Sequence, residues 1–235
     1  MAGTELVSGN DIAHTVVISV VDGNSNTATC DVTVTGSVSS PDVPTVSLSS
    51  NSICSNEDVT ITISGNLNDA IAWVVYTGSC GGTQIGTTSS STFVVNLTTT
   101  TRFYVRGEGG CITLGSCGTA TVTVNPLPTI TFSTTEAEVC FGDVLASFAY
   151  SAITGSPDQY SVDFDVAAEG EGFVDVTNVA LPVGVIDIAV PTAGTPATYN
   201  ALLTVRNSTT GCVSGTINIT VLIHPLPDTS EIITN

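Results

Sequence analysis

The sequence contains no lysine, and its 235 residues include only three arginines, Arg102, Arg106 and Arg206. Set against 21 acids, these leave a formal net charge of −18. Binding to nucleic acid needs rows of cations facing phosphates, so that class of function is excluded. An anionic membrane surface is an equally poor partner. Histidine occurs only at His14 and His224, and no CxxC is present, so no zinc ligand set can be assembled from familiar spacing. Neither histidine belongs to a triad pattern, and GxSxG and HExxH are both missing. The sequence therefore reads as non-enzymatic, with no catalytic residues and no membrane insertion. The best apolar run, Ala70 to Tyr76, has the length of a strand, whereas a membrane-spanning helix needs about 18 residues or more. The first residues lack a basic and then apolar leader, and the expectation is a piece cut from a longer chain.

What is abundant is threonine, serine, valine and glycine, with 42% hydrophobic residues and only 10% charged. That apolar share is ample for packed cores, so disorder is not the reading. One pattern occurs three times. His14 to Gly36 reads HTVVISVVDGNSNTATCDVTVTG and is followed by SVSSPDVP. Arg102 to Val124 reads RFYVRGEGGCITLGSCGTATVTV and is followed by NPLP. Tyr199 to Ile223 reads YNALLTVRNSTTGCVSGTINITVLI and is followed by HPLP. Each is an alternating strand, a polar turn, a cysteine in or just after that turn, a second alternating strand and then proline. Such repetition marks a modular array. The prolines at 41, 126 and 225 recur at intervals suited to one β-sandwich of about 100 residues each.

The predicted fold is all-β: tandem Ig-like antiparallel sandwiches joined by short proline-containing links. Residues 1–37 hold two strands around the Asp22-Gly23-Asn24 turn, a strong hairpin signal. Two strands cannot enclose a core, so this segment reads as the closing hairpin of a truncated domain. Residues 38–125 form the next domain. Its strands are expected from Val46, Val59 to Ile63, Ile71 to Tyr76, Phe93, Arg102 to Arg106 and Thr119 to Val124, with Trp73 in its core. Within it, VSSPDVP at 38–44 reads as a stiff link. Residues 126–224 form a further domain, built from PTITFS, VCFGDVLASFAYSAI, SVDFDVA, GFVDVTN, VIDIAV and the third hairpin. Residues 225–235 begin another repeat.

The wording of these segments resembles known families. VVDGNSNTATCDVTV resembles the end of a hyalin-repeat (HYR) domain. SICSNEDVTITISG, AWVVYTGSCGGTQIGT and TTTTRFYVRGEGGC resemble the Ig-like repeats of very large secreted Bacteroidetes proteins. VCFGD with TYNALLTVRNSTTGCVSG resembles the PKD-like repeats of the same proteins, although no GDG-type turn is present. SprB-type gliding-motility adhesins, exported by the type IX system, carry such repeats. The resemblance implies an extracellular, filamentous cell-surface adhesin with a mechanical and attachment role. Its partners would be neighbouring repeats, a surface or polysaccharide ligand, and gliding or secretion machinery reached through other regions. A binding or spacer module of a secreted enzyme, or a purely architectural sheath repeat, is the alternative.

Seven cysteines favour disulfides and an oxidising compartment. Cys54, Cys80, Cys111 and Cys117 allow three pairings, of which Cys54–Cys80 with Cys111–Cys117 is preferred, the others remaining open. Cys140–Cys212 is the simplest pairing of the last domain. It meets a topological objection, because the two lie at opposite ends of a sandwich. Pairing of each with a neighbouring domain's cysteine is the other reading. Cys30 is expected to point into a core, with its partner upstream. The acids Asp163, Asp165, Glu169, Glu171 and Asp175 form the densest cluster. A structural Ca²⁺ site is one reading, and a solvated face is the preferred one, because Asp163 and Asp165 share a strand face opposite Phe164. No other cofactor is implied.

Overall fold

The structure, a computed structural model, describes residues 14–34, 38–110 and 112–227. The chain divides into two compact units, residues 1–123 and 124–235.

The first unit opens with strands β1 (His14–Val21) and β2 (Thr27–Val34), an antiparallel hairpin with Val21 opposite Thr27. Asp22 makes the turn. Its carboxylate accepts the backbone N–H groups of Asn24 at 2.9 Å and Asn26 at 2.8 Å, and Asn26 Nδ2 at 2.9 Å. Short polar side chains bonding their own backbone are what stabilise such turns.

Eight strands follow: β3 (Thr45–Leu48), β4 (Ser52–Cys54), β5 (Glu57–Ser64), β6 (Ala72–Thr77), β7 (Thr83–Thr88), β8 (Thr92–Leu97), β9 (Thr101–Glu108) and β10 (Gly118–Asn125). They form a three-stranded sheet β3-β5-β8 and a five-stranded sheet β4-β10-β9-β6-β7. In β5, Val59, Ile61 and Ile63 are buried while Asp58, Thr62 and Ser64 are exposed, the period-two pattern of a half-buried strand. Trp73 and Val75 of β6, Phe103 and Val105 of β9, and Val122 of β10 fill the core from the larger sheet. Strand β6 is buried on both faces, because Val74 and Tyr76 on its outward side lie opposite Arg106 and Tyr104 of β9. Strands β4 and β7 escape a sequence reading. The first has three residues, and Thr83–Thr88 lacks a run of buried positions.

The expected link at 38–44 contains no strand, yet it is fastened to the sandwich that follows it. The Asp42 N–H donates to the Asn66 carbonyl at 3.0 Å, and the Asn66 N–H donates to Asp42 Oδ2 at 2.9 Å. The Ser39 N–H donates to Asp69 Oδ2 at 2.6 Å, and Asn68 Nδ2 donates to the Ser40 carbonyl at 2.6 Å. Pro41 and Pro44 are both buried. Glycine makes room for them: a Cβ on Gly118 would lie 2.0 Å from the Pro44 carbonyl oxygen.

The second unit holds β11 (Thr129–Phe132), β12 (Glu136–Cys140), β13 (Leu145–Thr154), β14 (Gln159–Phe164), a short helix α1 (Val166–Gly170), β15 (Val176–Ala180), β16 (Val185–Ala189), β17 (Thr198–Arg206) and β18 (Ile217–His224). Its sheets are β11-β13-β16 and β12-β18-β17-β14-β15. Counted from the first strand of each sandwich, both have the order 1-3-6 and 2-8-7-4-5. Phe148, Ile186, Leu203, Val205, Ile219 and Val221 form the centre of the core. Phe173 packs between Phe164 and Tyr199, with ring centroids 4.8 and 5.0 Å away.

The two sandwiches also share a turn. In SICSNED the Cys54 N–H donates to Glu57 Oε2 at 2.8 Å, and Asn56 adopts φ 70°. In VCFGD the Cys140 N–H donates to Asp143 Oδ2 at 2.7 Å, and Gly142 adopts φ 97°. A left-handed residue followed by an acid that caps the cysteine N–H turns the second strand into the third in both units. The fold is therefore a tandem pair of Ig-like sandwiches preceded by a hairpin.

Candidate functional site

Chemistry concentrates on the outer face of the five-stranded sheet of the first sandwich. Cys80, in the turn after β6, is bonded to Cys117, the residue before β10, with Cα atoms 5.8 Å apart and a sequence separation of 37. Because β9 lies between β10 and β6, this bridge passes over β9. Arg106 of β9 sits at the crossing, and its Nη1 donates to Cys80 Sγ at 3.8 Å.

The guanidinium is held from two more sides. Arg106 Nε donates to Glu108 Oε1 at 2.5 Å, and the guanidinium carbon stands 5.5 Å from the centroid of the Tyr76 ring. Such a cation over an aromatic face is electrostatically favourable. The Tyr76 hydroxyl donates to the same Glu108 oxygen at 2.5 Å. Burial raises the Tyr76 phenol, and its bond to Glu108 raises it further. Burial works to raise Glu108 as well, but the bonds from Tyr76 and Arg106 outweigh it and hold the carboxyl below its usual range. The bond to Glu108 raises Arg106, so the ion pair stays charged. Arg102 stacks over Tyr104 at 5.3 Å, and Arg206 in the second unit donates to Gln159 Oε1 at 3.0 Å. All three arginines thus lie on the penultimate strand of a sandwich, and each reaches a neighbouring strand, Arg102 by donating from Nη2 to Thr119 Oγ1 at 3.4 Å.

The cysteine pairings expected from sequence need correction. Cys54–Cys80 does not form, because Cys54 ends β4 at one edge of the sheet while Cys80 follows β6, three strands along. Cys80 is instead taken by Cys117. Cys111–Cys117 is excluded because Cys117 is taken by Cys80; Cys111 itself lies outside the described residues. Cys140–Cys212 does not form either, because Cys140 is free and exposed. Cys140 pairs in register with His224 at the end of β18, whereas Cys212 precedes the start of that strand. Eight residues at about 3.3 Å each hold them at opposite ends, the topological objection raised above. Cys54 and Cys212 each take part in a disulfide, and Cys212 is buried. Cys30, expected to face a core, is free and exposed on its two-stranded ribbon.

The acids at 163–175 do another job. Asp165 caps α1 by accepting the Ala168 N–H at 2.8 Å, and it also accepts Asn200 Nδ2 at 3.1 Å. Asp175 accepts the Phe164 N–H at 2.9 Å, and Glu171 accepts the Thr195 N–H at 3.0 Å. Three of the five carboxylates are thus bound to backbone amides, a use that sequence spacing does not reveal. Asp163 and Asp165 do share the exposed face opposite buried Phe164. Among the described residues no three His, Cys, Asp or Glu side chains converge as a metal site. His224 faces Glu138 at 3.0 Å on the surface of β18 and β12. No described helix is long and apolar enough to cross a membrane.

Residues 41–126 match the family described as Ig-like domain, CHU_C associated. No match was found among curated proteins. Similar solved structures include the fibronectin(III)-like modules of Clostridium thermocellum CbhA, at 11% identity over 77% of this chain and 94% of that one, with a TM-score of 0.33. Chicken CNTN1 domains FN1–FN3 align at 14% identity over 88% of this chain and 77% of that one, with a TM-score of 0.34. The eight N-terminal Ig domains of Down Syndrome Cell Adhesion Molecule align at 11% identity, over 94% of this chain and 36% of that one, with a TM-score of 0.41.

Proposed function

We propose that this chain is a stretch of a tandem Ig-like array in a secreted cell-surface protein, where it extends, spaces and attaches rather than catalyses. One observation carries the reading: two successive sandwiches share one strand order and one cysteine-acid turn despite different sequences. Modules repeated in this way give length and stiffness through their own cores. The Ig-like family match at 41–126 and the Cys80–Cys117 bond support an extracellular, oxidising setting. In this reading residues 1–37 close a HYR-like domain, 38–125 and 126–224 are complete Ig-like and PKD-like repeats, and 225–235 opens the next. The finer assignment is to the SprB-type adhesins of gliding bacteria, whose repeats these sequences resemble.

Among the described residues, the outer face of the first sandwich's five-stranded sheet offers no free aromatic platform. Tyr76 is buried and Tyr104 lies beneath Arg102. This favours the extending and attaching role over a sugar-binding appendage. The test is antibody labelling of intact, unpermeabilised producer cells, paired with adhesion of chain-coated beads to glass and to cells. Surface labelling with bead retention is expected. Labelling that needs permeabilisation would overturn the surface assignment, and surface labelling without retention would reduce the role to spacing.

A further inference from the structure

We propose that the Cys80–Cys117 bond is exchange-active: an external dithiol opens it at Cys117, and Cys80 leaves as a thiolate held by Arg106. The geometry supplies each requirement. Arg106 Nη1 lies 3.8 Å from Cys80 Sγ, so a cation already faces the sulfur that would take up the electron pair. Glu108 and Tyr76 fix that guanidinium in place, one through its Nε and the other through its ring face. Thiol exchange is faster when the leaving sulfur has a lower pKa, and a neighbouring arginine lowers it. Cys117 is partly exposed and Cys80 exposed, so both sulfurs can be reached. Cys212, by contrast, is buried.

The step balances. A thiolate of the dithiol bonds to Cys117 Sγ, the Cys80–Cys117 bond breaks, and its electron pair passes to Cys80 Sγ. The second thiol of the reagent, deprotonated to water, then attacks its own sulfur in the mixed disulfide. This releases Cys117, which takes a proton from water. The dithiol is oxidised to a cyclic disulfide, and the protein is reduced by two electrons. Opening frees two irregular pieces, the turn at 78–82 and the segment at 112–117, without breaking a strand pairing.

The test uses the whole folded chain. A monothiol such as glutathione is added to the native protein, free thiols are trapped with iodoacetamide, and peptides are mapped. Carbamidomethyl on Cys80 with glutathione on Cys117 is expected; the reverse distribution would overturn the proposal. Opening rates with dithiothreitol provide the second measure. Arg106→Gln should slow opening about five-fold and Arg106→Lys should retain most of the rate, as expected for an effect of charge on the leaving sulfur. Circular dichroism checks that each variant is folded. A variant that loses its fold would open faster for unrelated reasons, so the peptide map of the wild-type chain stands as the deciding result. Equal or faster opening of folded Arg106→Gln would also overturn the proposal.

Discussion

The hydroxyl of Tyr199, at the start of β17, donates to the backbone carbonyl of Thr195 four residues upstream at 2.7 Å. This is the tyrosine corner of an Ig-like sandwich, in which a ring buried in the core ties down the loop entering the penultimate strand. Tyr199 is 4% exposed and packs on Phe173, so Tyr199→Phe keeps the ring and removes only the hydroxyl. The Thr195 carbonyl is then left without this donor, at an expected cost of roughly 1–2 kcal/mol. Urea unfolding of the second unit, followed by circular dichroism, measures it. An unchanged midpoint would show that the corner is ornamental here.

Gly118→Ala should be among the costliest small changes in the first unit. The added methyl would lie 2.0 Å from the Pro44 carbonyl oxygen, a backbone atom that cannot swing aside. We expect a loss of about 1–3 kcal/mol, the range for overpacking, and release of the 38–44 segment to added protease. Intact resistance at 38–44 would mean that the segment is held by its hydrogen bonds alone.

Acid should weaken the second unit through two carboxylates. The Ser208 hydroxyl and then its N–H hold Asp158 below its ordinary 3.8. The Ala168 N–H and then Asn200 hold Asp165 below the same value. Both groups are more acidic folded than unfolded, so the unfolded chain binds more protons in the interval between. Their contribution is complete above 3.8 and is lost as pH falls through the lower folded values. The double variant Asp158→Ala/Asp165→Ala should therefore melt below wild type at pH 6, with a gap that closes on acidification. Calorimetry across pH 6 to 2.5 checks this, and a gap of constant size would contradict it.

Native alkylation should discriminate among the cysteines. Cys30 and Cys140 are free and exposed, whereas Cys54, Cys80, Cys117 and Cys212 are bonded. Iodoacetamide without reductant should modify Cys30 and Cys140 and none of those four, as peptide mapping would show. Modification of Cys80 or Cys117 before reduction would contradict the bridge.

Removing the indole of Trp73 should cost about 3–5 kcal/mol, because the side chain is 3% exposed at the centre of the first core. Trp73→Ala measured by urea unfolding tests this. A cost below about 1 kcal/mol would place the indole outside the packed centre.

Sequence alone determined the elements whose signal is local. Val59-Thr60-Ile61-Thr62-Ile63 announces a half-buried strand because each inward side chain needs only a core, whatever that core is made of. The hairpins at 14–34 and 199–224 declare themselves for the same reason, and so does the burial of Trp73. The aspartates at 163 and 165 are legible only as a shared face, not as the N-cap that Asp165 becomes. Tertiary structure decided everything that depends on which strands are neighbours. It bonds Cys80 to Cys117 across β9, leaves Cys140 free at the far end of β18 from Cys212, and seats Pro44 against Gly118. It also brings Arg106 under a sulfur 26 residues away. No local pattern encodes such contacts, because distance along a chain does not give distance across a sheet until the strand order is known.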